Sequence, residues 1–232
     1  MSQVDINKKY NNFLSPKNQI IVNNEDLLEK YGIQASAITV EDAIGVLPKF
    51  CFVVNDPQLL RISTGLIDLN KNVLIKMGYA NMLETVVEGE IAAVKSIFPS
   101  NGPPYIEVSG QAKTITDATP PTNTKPIFTL TYGRTLFSFI SIASIQEQDR
   151  KTASIARASA TKAPTSNLHC SAECVGMPEL KIQVLVSVAG VGNAYDGNYF
   201  VEKVTHKLNQ SGYATKFVAE IPQKRMFLQP KI

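Results

Sequence analysis

The sequence predicts an all-β chain with minor helix, divided into two β domains, and three observations carry that expectation. Apolar and polar residues alternate in segment after segment, as on half-buried strands whose successive side chains point to opposite faces. Turn-forming residues punctuate the chain about every ten residues, the spacing of short strands in a sandwich or barrel. Helical signals are confined to two short stretches.

A polar extension at 1–14 opens the chain. Asn24-Glu25-Asp26 can cap a helical turn at 27–30, and Asp56-Pro57 can start another at 58–62. Between them, a short apolar strand at 50–54 ends at Asn55-Asp56-Pro57. In 73–79, Val73, Ile75, Met77 and Tyr79 share a face. Ala80-Asn81-Met82 then makes a tight connection to 83–93. There Leu83, Thr85, Val87, Gly89, Ile91 and Ala93 face one way, and Glu84, Glu88 and Glu90 the other. A strand at 105–109 follows the turn-rich segment 99–104.

The middle is different. Segment 111–125 is rich in Thr, Pro and Ala without periodicity and reads as a linker. One or two strands fit 127–145, and the small, basic, unpatterned stretch 150–164 reads as another connection. Alternation then returns: Val184, Val186 and Val188 alternate with Leu185 and Ser187 up to Gly190. Asp196-Gly197 offers the positive φ of a tight hairpin before a strand at 199–207. Asn209-Gln210-Ser211-Gly212 turns the chain into a last strand. It sets Tyr213, Thr215, Phe217, Ala219 and Ile221 on one face, with Lys216 and Glu220 opposite. The expected division is an extension at 1–14, a first domain at 15–112, a linker at 113–125, a second domain at 126–222 and a tail at 223–232.

With 232 residues, 44% of them hydrophobic, the chain can bury a core without disulfides or a metal. A net charge of +3 from 23 basic and 20 acidic residues lacks the dense basic stripe that phosphate contacts require, so no nucleic-acid binding is expected. The N-terminal residues hold no apolar run of the signal-peptide kind. No run of apolar residues is long enough for a transmembrane helix, so synthesis in the cytoplasm without membrane insertion is expected.

Reactive groups are few. His169-Cys170-x3-Cys174, with His206, can be drawn as a zinc site. On one strand, however, Cys170 and Cys174 would face the same way about 13 Å apart, too far for a shared zinc or a disulfide. His206, between Thr205 and Lys207, reads as a solvated or cross-strand residue rather than a catalytic base. Phosphate-loop, GxSxG and HExxH patterns are absent, and Gly190-x-Gly192 precedes a turn and strand rather than a helix. Glu88 and Glu90 lie on the polar face of one strand, an exposed or interface position rather than a glycosidase pair. The expectation is a non-enzyme with no catalytic residue, no cofactor and no metal.

Four segments in order resemble the phage late control protein D and baseplate-hub family, which includes the N-terminal hub region of type VI spike proteins. KMGYANMLETVVEGEI at 76–91 resembles the family's "GY" hairpin leading into an "FxGEI" strand. FPSNGPPYIEVSG at 98–110 is similar to its "FPxxGxPxLxVxG" continuation, and LTYGRTLFSF at 130–139 to its "YGxNLLSF" strand. The fourth, 175–217, places Gly190, Gly192, Gly197, Tyr199, Val201, Val204, His206, Gly212, Tyr213, Thr215 and Phe217 as in the family's ending. Position 183 is Gln where that ending often has Gly.

The resemblance implies two β-barrel domains of the tail-hub type and a homotrimer with pseudo-sixfold symmetry. Such a trimer joins the hexameric inner tube to a trimeric, VgrG-like spike within a baseplate of a contractile injection system. The chain would leave the cell only as part of the assembled particle. Two other classes remain open on the sequence. A tail-associated cell-surface or glycan-binding β module fits the eight tyrosines, although tryptophan is absent. A cell-wall hydrolase needs converging acids or a zinc site.

Overall fold

The computed structural model of the chain describes residues 8–10, 13–57, 65–115, 126–132, 140–149 and 166–222. The expected helical turn at 58–62, most of the linker, the connection at 150–164 and the tail lie outside the described residues, as do 133–139 of the third family-like segment.

The elements are β1 (Pro16–Val22), β2 (Glu25–Asp26), α1 (Leu27–Tyr31), β3 (Ala35–Ala43), β4 (Lys49–Asn55), β5 (Asn72–Tyr79), β6 (Met82–Ile97) and β7 (Tyr105–Gln111). Then follow β8 (Phe128–Thr131), β9 (Ile140–Asp149), β10 (Ser166–Val175), β11 (Leu185–Ala189), β12 (Gly197–Asn209) and β13 (Gly212–Pro222). The chain is thus mostly β with little helix.

All of these strands join one 13-stranded sheet in the order β2-β1-β5-β6-β7-β4-β3-β12-β13-β10-β9. β11 pairs with β12 and, in parallel, with β8. Among the described residues, strands β1 to β7 pair among themselves and β8 to β13 among themselves, with one strand pairing between the halves: β3 lies antiparallel to β12, from Ile38 opposite Leu208 to Ala43 opposite Lys203. The pairing is that of an open sheet, where two separate barrels were expected. β1, β3 and the end of β12 flank a cleft of about 480 Å³ lined by Pro16, Lys17, Leu28, Ala35, Ser36 and Leu208.

The core follows the alternation. Val73, Ile75, Met77 and Tyr79 of β5 are buried, as are Tyr213, Thr215, Phe217 and Ala219 of β13. One continuous apolar cluster spans both halves. Asp26 caps α1 by accepting hydrogen bonds from the Leu28 and Glu29 N–H groups, and Gly32 ends it at φ 64°, the left-handed conformation favoured past a helix end.

Two expectations fail for backbone reasons. The 83–93 face is broken by bulges, where β6 carries an extra residue between Thr85 and Val87 and another between Ile91 and Ala93. Each bulge shifts the alternation. Only Val87, Gly89 and Ile91 keep the inner face, Ala93 is exposed, and Glu84 pairs with buried Met77 instead of following Glu88 and Glu90 outward. Nor is Gly197 the positive-φ residue of its turn. That conformation falls on Gly190 (φ 84°) and Gly192 (φ 101°), while Gly197 begins β12 in extended form. Gln183, where the family-like ending often has Gly, adopts φ 65°.

Candidate functional site

The inner faces of the two halves meet at a seam built from two hairpins. In the first, Tyr79 closes β5 against Met82 across the two-residue turn Ala80-Asn81, with Ala80 at φ 48°. In the second, Gly212 pairs with Asn209 across Gln210-Ser211, at φ 120°. The rings of Tyr79 and Tyr213 lie 5.8 Å apart, and Tyr79 meets the tilted ring of Tyr10 at 5.4 Å and Phe13 edge-on at 5.2 Å. Gly176 donates its N–H to the Tyr213 carbonyl. A Cβ at Gly176 would sit 2.0 Å from the Tyr213 ring, so only glycine lets the ring close over this turn.

A charged triplet borders the seam. Lys9 Nζ reaches Glu84 at 2.9 Å and Glu179 at 2.5 Å, tying the N-terminal segment to both halves. The bulge in β6 aims Glu84 here. Burial works against the Lys9 charge, but the two carboxylates outweigh it and hold its pKa above the ordinary 10.5. The Tyr10 hydroxyl is buried without a hydrogen bond of ordinary geometry, and burial, with Glu179 nearby, raises its pKa.

Beneath Tyr213 sits the buried polar node. His206 is 1% exposed and lies directly opposite Thr215 on β13. The Tyr213 hydroxyl is 2.9 Å from His206 Nδ1, and Thr215 Oγ1 is 3.1 Å from the same nitrogen. Thr215 Oγ1 also accepts the Met177 N–H at 3.0 Å. This arrangement fits the tautomer in which Nδ1 accepts from Tyr213 and Nε2 carries the proton. Nε2 then lies toward the Leu180 carbonyl without an ordinary hydrogen bond. Burial lowers the His206 pKa to about 4, so the ring is neutral at pH 7. Of the two expected roles, solvated or cross-strand, the structure takes the second: Tyr213 and Thr215 of β13 and the turn at Leu180 enclose the ring.

Other singled-out residues fall elsewhere. Cys170 and Cys174 are buried on the inner face of β10, and burial raises the Cys170 thiol to about 11 and the Cys174 thiol further. Cys174 donates to the Thr215 carbonyl, on the edge of the node. Half-buried Cys51 lines a groove of about 320 Å³ with Thr39, Lys49 and Ser109. Glu88 is exposed, and Glu90 pairs with Lys113 at 2.6 Å. His169 points to the outer face, where it meets Glu202 and Glu220.

The sequence placed Glu220 on the outward face of the last strand and gave no signal at Glu202. The residues of the family-like ending are mostly core: Tyr199, Val201, Val204, His206, Thr215 and Phe217 are each at most 2% exposed. That ending therefore encodes packing. Just ahead of it, burial keeps Cys170 and Cys174 as uncharged thiols, and within it His206 is a neutral, enclosed base.

Against known proteins, one family model matches, described as the Alg8 N-terminal domain, over residues 142–210, less than a third of the chain. The motifs had pointed instead to late control protein D. No curated protein matches. Solved structures do. The tail protein from Neisseria meningitidis MC58 superposes with a TM-score of 0.59 at 9% identity, covering 90% of this chain and 97% of that one. The 43 kDa tail protein of prophage MuSo2 from Shewanella oneidensis gives 0.56 at 9% identity, over 88% and 98%. The E. coli c3393 protein gives 0.52 at 9% identity, over 89% and 77%. It is described as a type VI secretion component structurally similar to the T4 bacteriophage tail proteins gp27 and gp5. A Francisella PdpA-VgrG complex gives 0.50 at 5% identity, with 94% of this chain covered and 55% of the other. The fold of this chain is the fold of phage-tail and type VI tail proteins.

Proposed function

We propose that this chain is a structural component of a phage-tail-like contractile injection particle, serving as its baseplate hub and spike adaptor. In this reading three copies form a ring. Each copy contributes two barrel-like modules, 15–112 and 126–222, so that the ring presents pseudo-sixfold symmetry to a hexameric inner tube. Its other side receives a trimeric, VgrG-like spike, and further baseplate proteins pack around it. Closed rings arise when identical heterologous contacts repeat about an axis. The protein works through shape and contact area, transmits load, and performs no bond chemistry.

The observation that carries this reading is the end-to-end fold match to tail proteins, 90% of this chain against 97% of the Neisseria tail protein. The presence of VgrG in the Francisella complex supports a spike of that kind as the partner. The chemistry of the seam agrees, since burial keeps His206 and Cys170 in their neutral forms. No helix among the described residues is long and apolar enough to cross a membrane, which is compatible with incorporation into a particle.

Negative-stain images of the purified protein with its VgrG-like spike test the proposal. Threefold rings with six lobes, capped by spike density, are the expected result. Particles that stay separate from the spike overturn it. Clearing of a peptidoglycan suspension by the chain alone would replace it with a hydrolase.

A further inference from the structure

On the outer face, three adjacent strands converge on a cluster of groups that the core does not use. His169 of β10 stands directly opposite Glu220 of β13, and Glu220 stands opposite Phe200 of β12. By simple alternation Glu202 and Lys203 would face opposite ways. Instead β12 carries an extra residue between Val201 and Lys203, and both Glu202 and Lys203 lie outside the core while Val201 and Val204 are buried. A bulge of this kind re-aims a side chain, and here it brings Glu202 toward His169.

The resulting geometry is that of an open coordination site. His169 Nδ1 is 3.9 Å from Glu202, and His169 Nε2 is 3.9 Å from Glu220. One ligand atom from each of the three residues lies within 4.8 Å of the others. These separations exceed hydrogen bonds, so His169 is not hydrogen-bonded to either carboxylate through these atoms. Ligands on a four-coordinate zinc lie about 3.3 Å apart, given bonds of about 2.0–2.1 Å. Rotation of these three partly buried side chains can supply that contraction. Burial, and then the neighbouring Glu220 charge, raises the Glu202 pKa, with His169 offsetting only part of the effect. A cation between the carboxylates removes that repulsion.

We propose that His169, Glu202 and Glu220 bind a divalent transition-metal ion of the zinc class, pinning β10, β13 and β12 together. An imidazole with two carboxylates suits zinc-like ions, with water completing the shell, whereas calcium and magnesium favour all-oxygen shells. The ion would brace the sheet next to its edge strand β9 and is independent of the hub reading.

Thermal melts of the full-length, untagged chain near neutral pH, with zinc chloride or magnesium chloride, test this. The other histidine is buried, and a Cys51→Ser background removes the half-exposed thiol. Zinc at roughly 100 times its Kd should raise Tm by several degrees, magnesium should not, and calorimetry should count a single zinc ion per chain. In His169→Ala and Glu202→Gln the shift should shrink at least severalfold, with the metal-free Tm nearly unchanged. No zinc shift in the parent, an equal magnesium shift, or an undiminished zinc shift in His169→Ala overturns the proposal.

Discussion

Gly78-Tyr79 ends β5 just before its turn, whereas Gly212-Tyr213 begins β13 just after its own, so the two hairpins present tyrosines to each other across the seam. Both rings are buried. The Tyr213 hydroxyl meets His206 at 2.9 Å, while the Tyr79 hydroxyl is enclosed with no hydrogen bond of ordinary geometry. The glycines differ as well. Gly78 is needed because a Cβ would lie 2.0 Å from the Met82 carbonyl within its own hairpin. On the other side the crowding glycine is Gly176, pressed on the ring of Tyr213. The first hairpin is shaped by its own backbone, the second by a polar network reaching into neighbouring strands. A buried histidine thus anchors the turn of the second hairpin, and the first has none.

The largest test of this contrast is Gly176→Ala. The methyl must displace the Tyr213 ring, and overpacking of this severity should cost ~3 kcal/mol or more. Urea unfolding that leaves stability unchanged would remove the ring-over-turn account. Acid comes next. The His206 pKa is about 4 in the folded chain against an ordinary 6.5, so the unfolded chain binds the extra proton between those values. Stability from this group is complete above pH 6.5 and falls as pH drops toward 4, by about 3 kcal/mol at most. The raised carboxyls of Asp42 and Glu202 act in the opposite sense. The effect is therefore read as the difference from a His206→Gln variant, whose profile should be flatter.

Tyr213→Phe removes one of the two hydroxyls that face the buried His206 Nδ1, leaving Thr215, and should cost about 1 kcal/mol. Tyr79→Phe removes a hydroxyl that has no such bond and should stay within about 0.5 kcal/mol, or stabilise slightly. Equal losses in these two variants, measured side by side by urea unfolding, would erase the distinction between the hairpins.

Much of this arrangement was legible in the sequence because period-two alternation survives wherever a strand is regular. β5 and β13 put the expected residues in the core, and Asp26 caps the expected helical turn. β1 and β3 escaped notice. β1 opens with exposed polar residues, and the place of β3 is fixed by pairing with β12, far away in the chain. Bulges were equally invisible, since an extra residue is defined by the register of the partner strand. They move Glu84 to the seam and Glu202 to His169, and so they decide which acids meet which bases. The family-like ending was legible as a pattern, but its purpose was not: His206 looks solvated beside Thr205 and Lys207 until β13 and the 176–180 turn close over it.

A mass measurement on the purified chain tests the central claim most directly. A chain of 25.4 kDa that builds a hub should appear, alone or on its spike, as a trimer of about 76 kDa, three chains closing the ring. A species that remains at 25.4 kDa even with the spike present would contradict it.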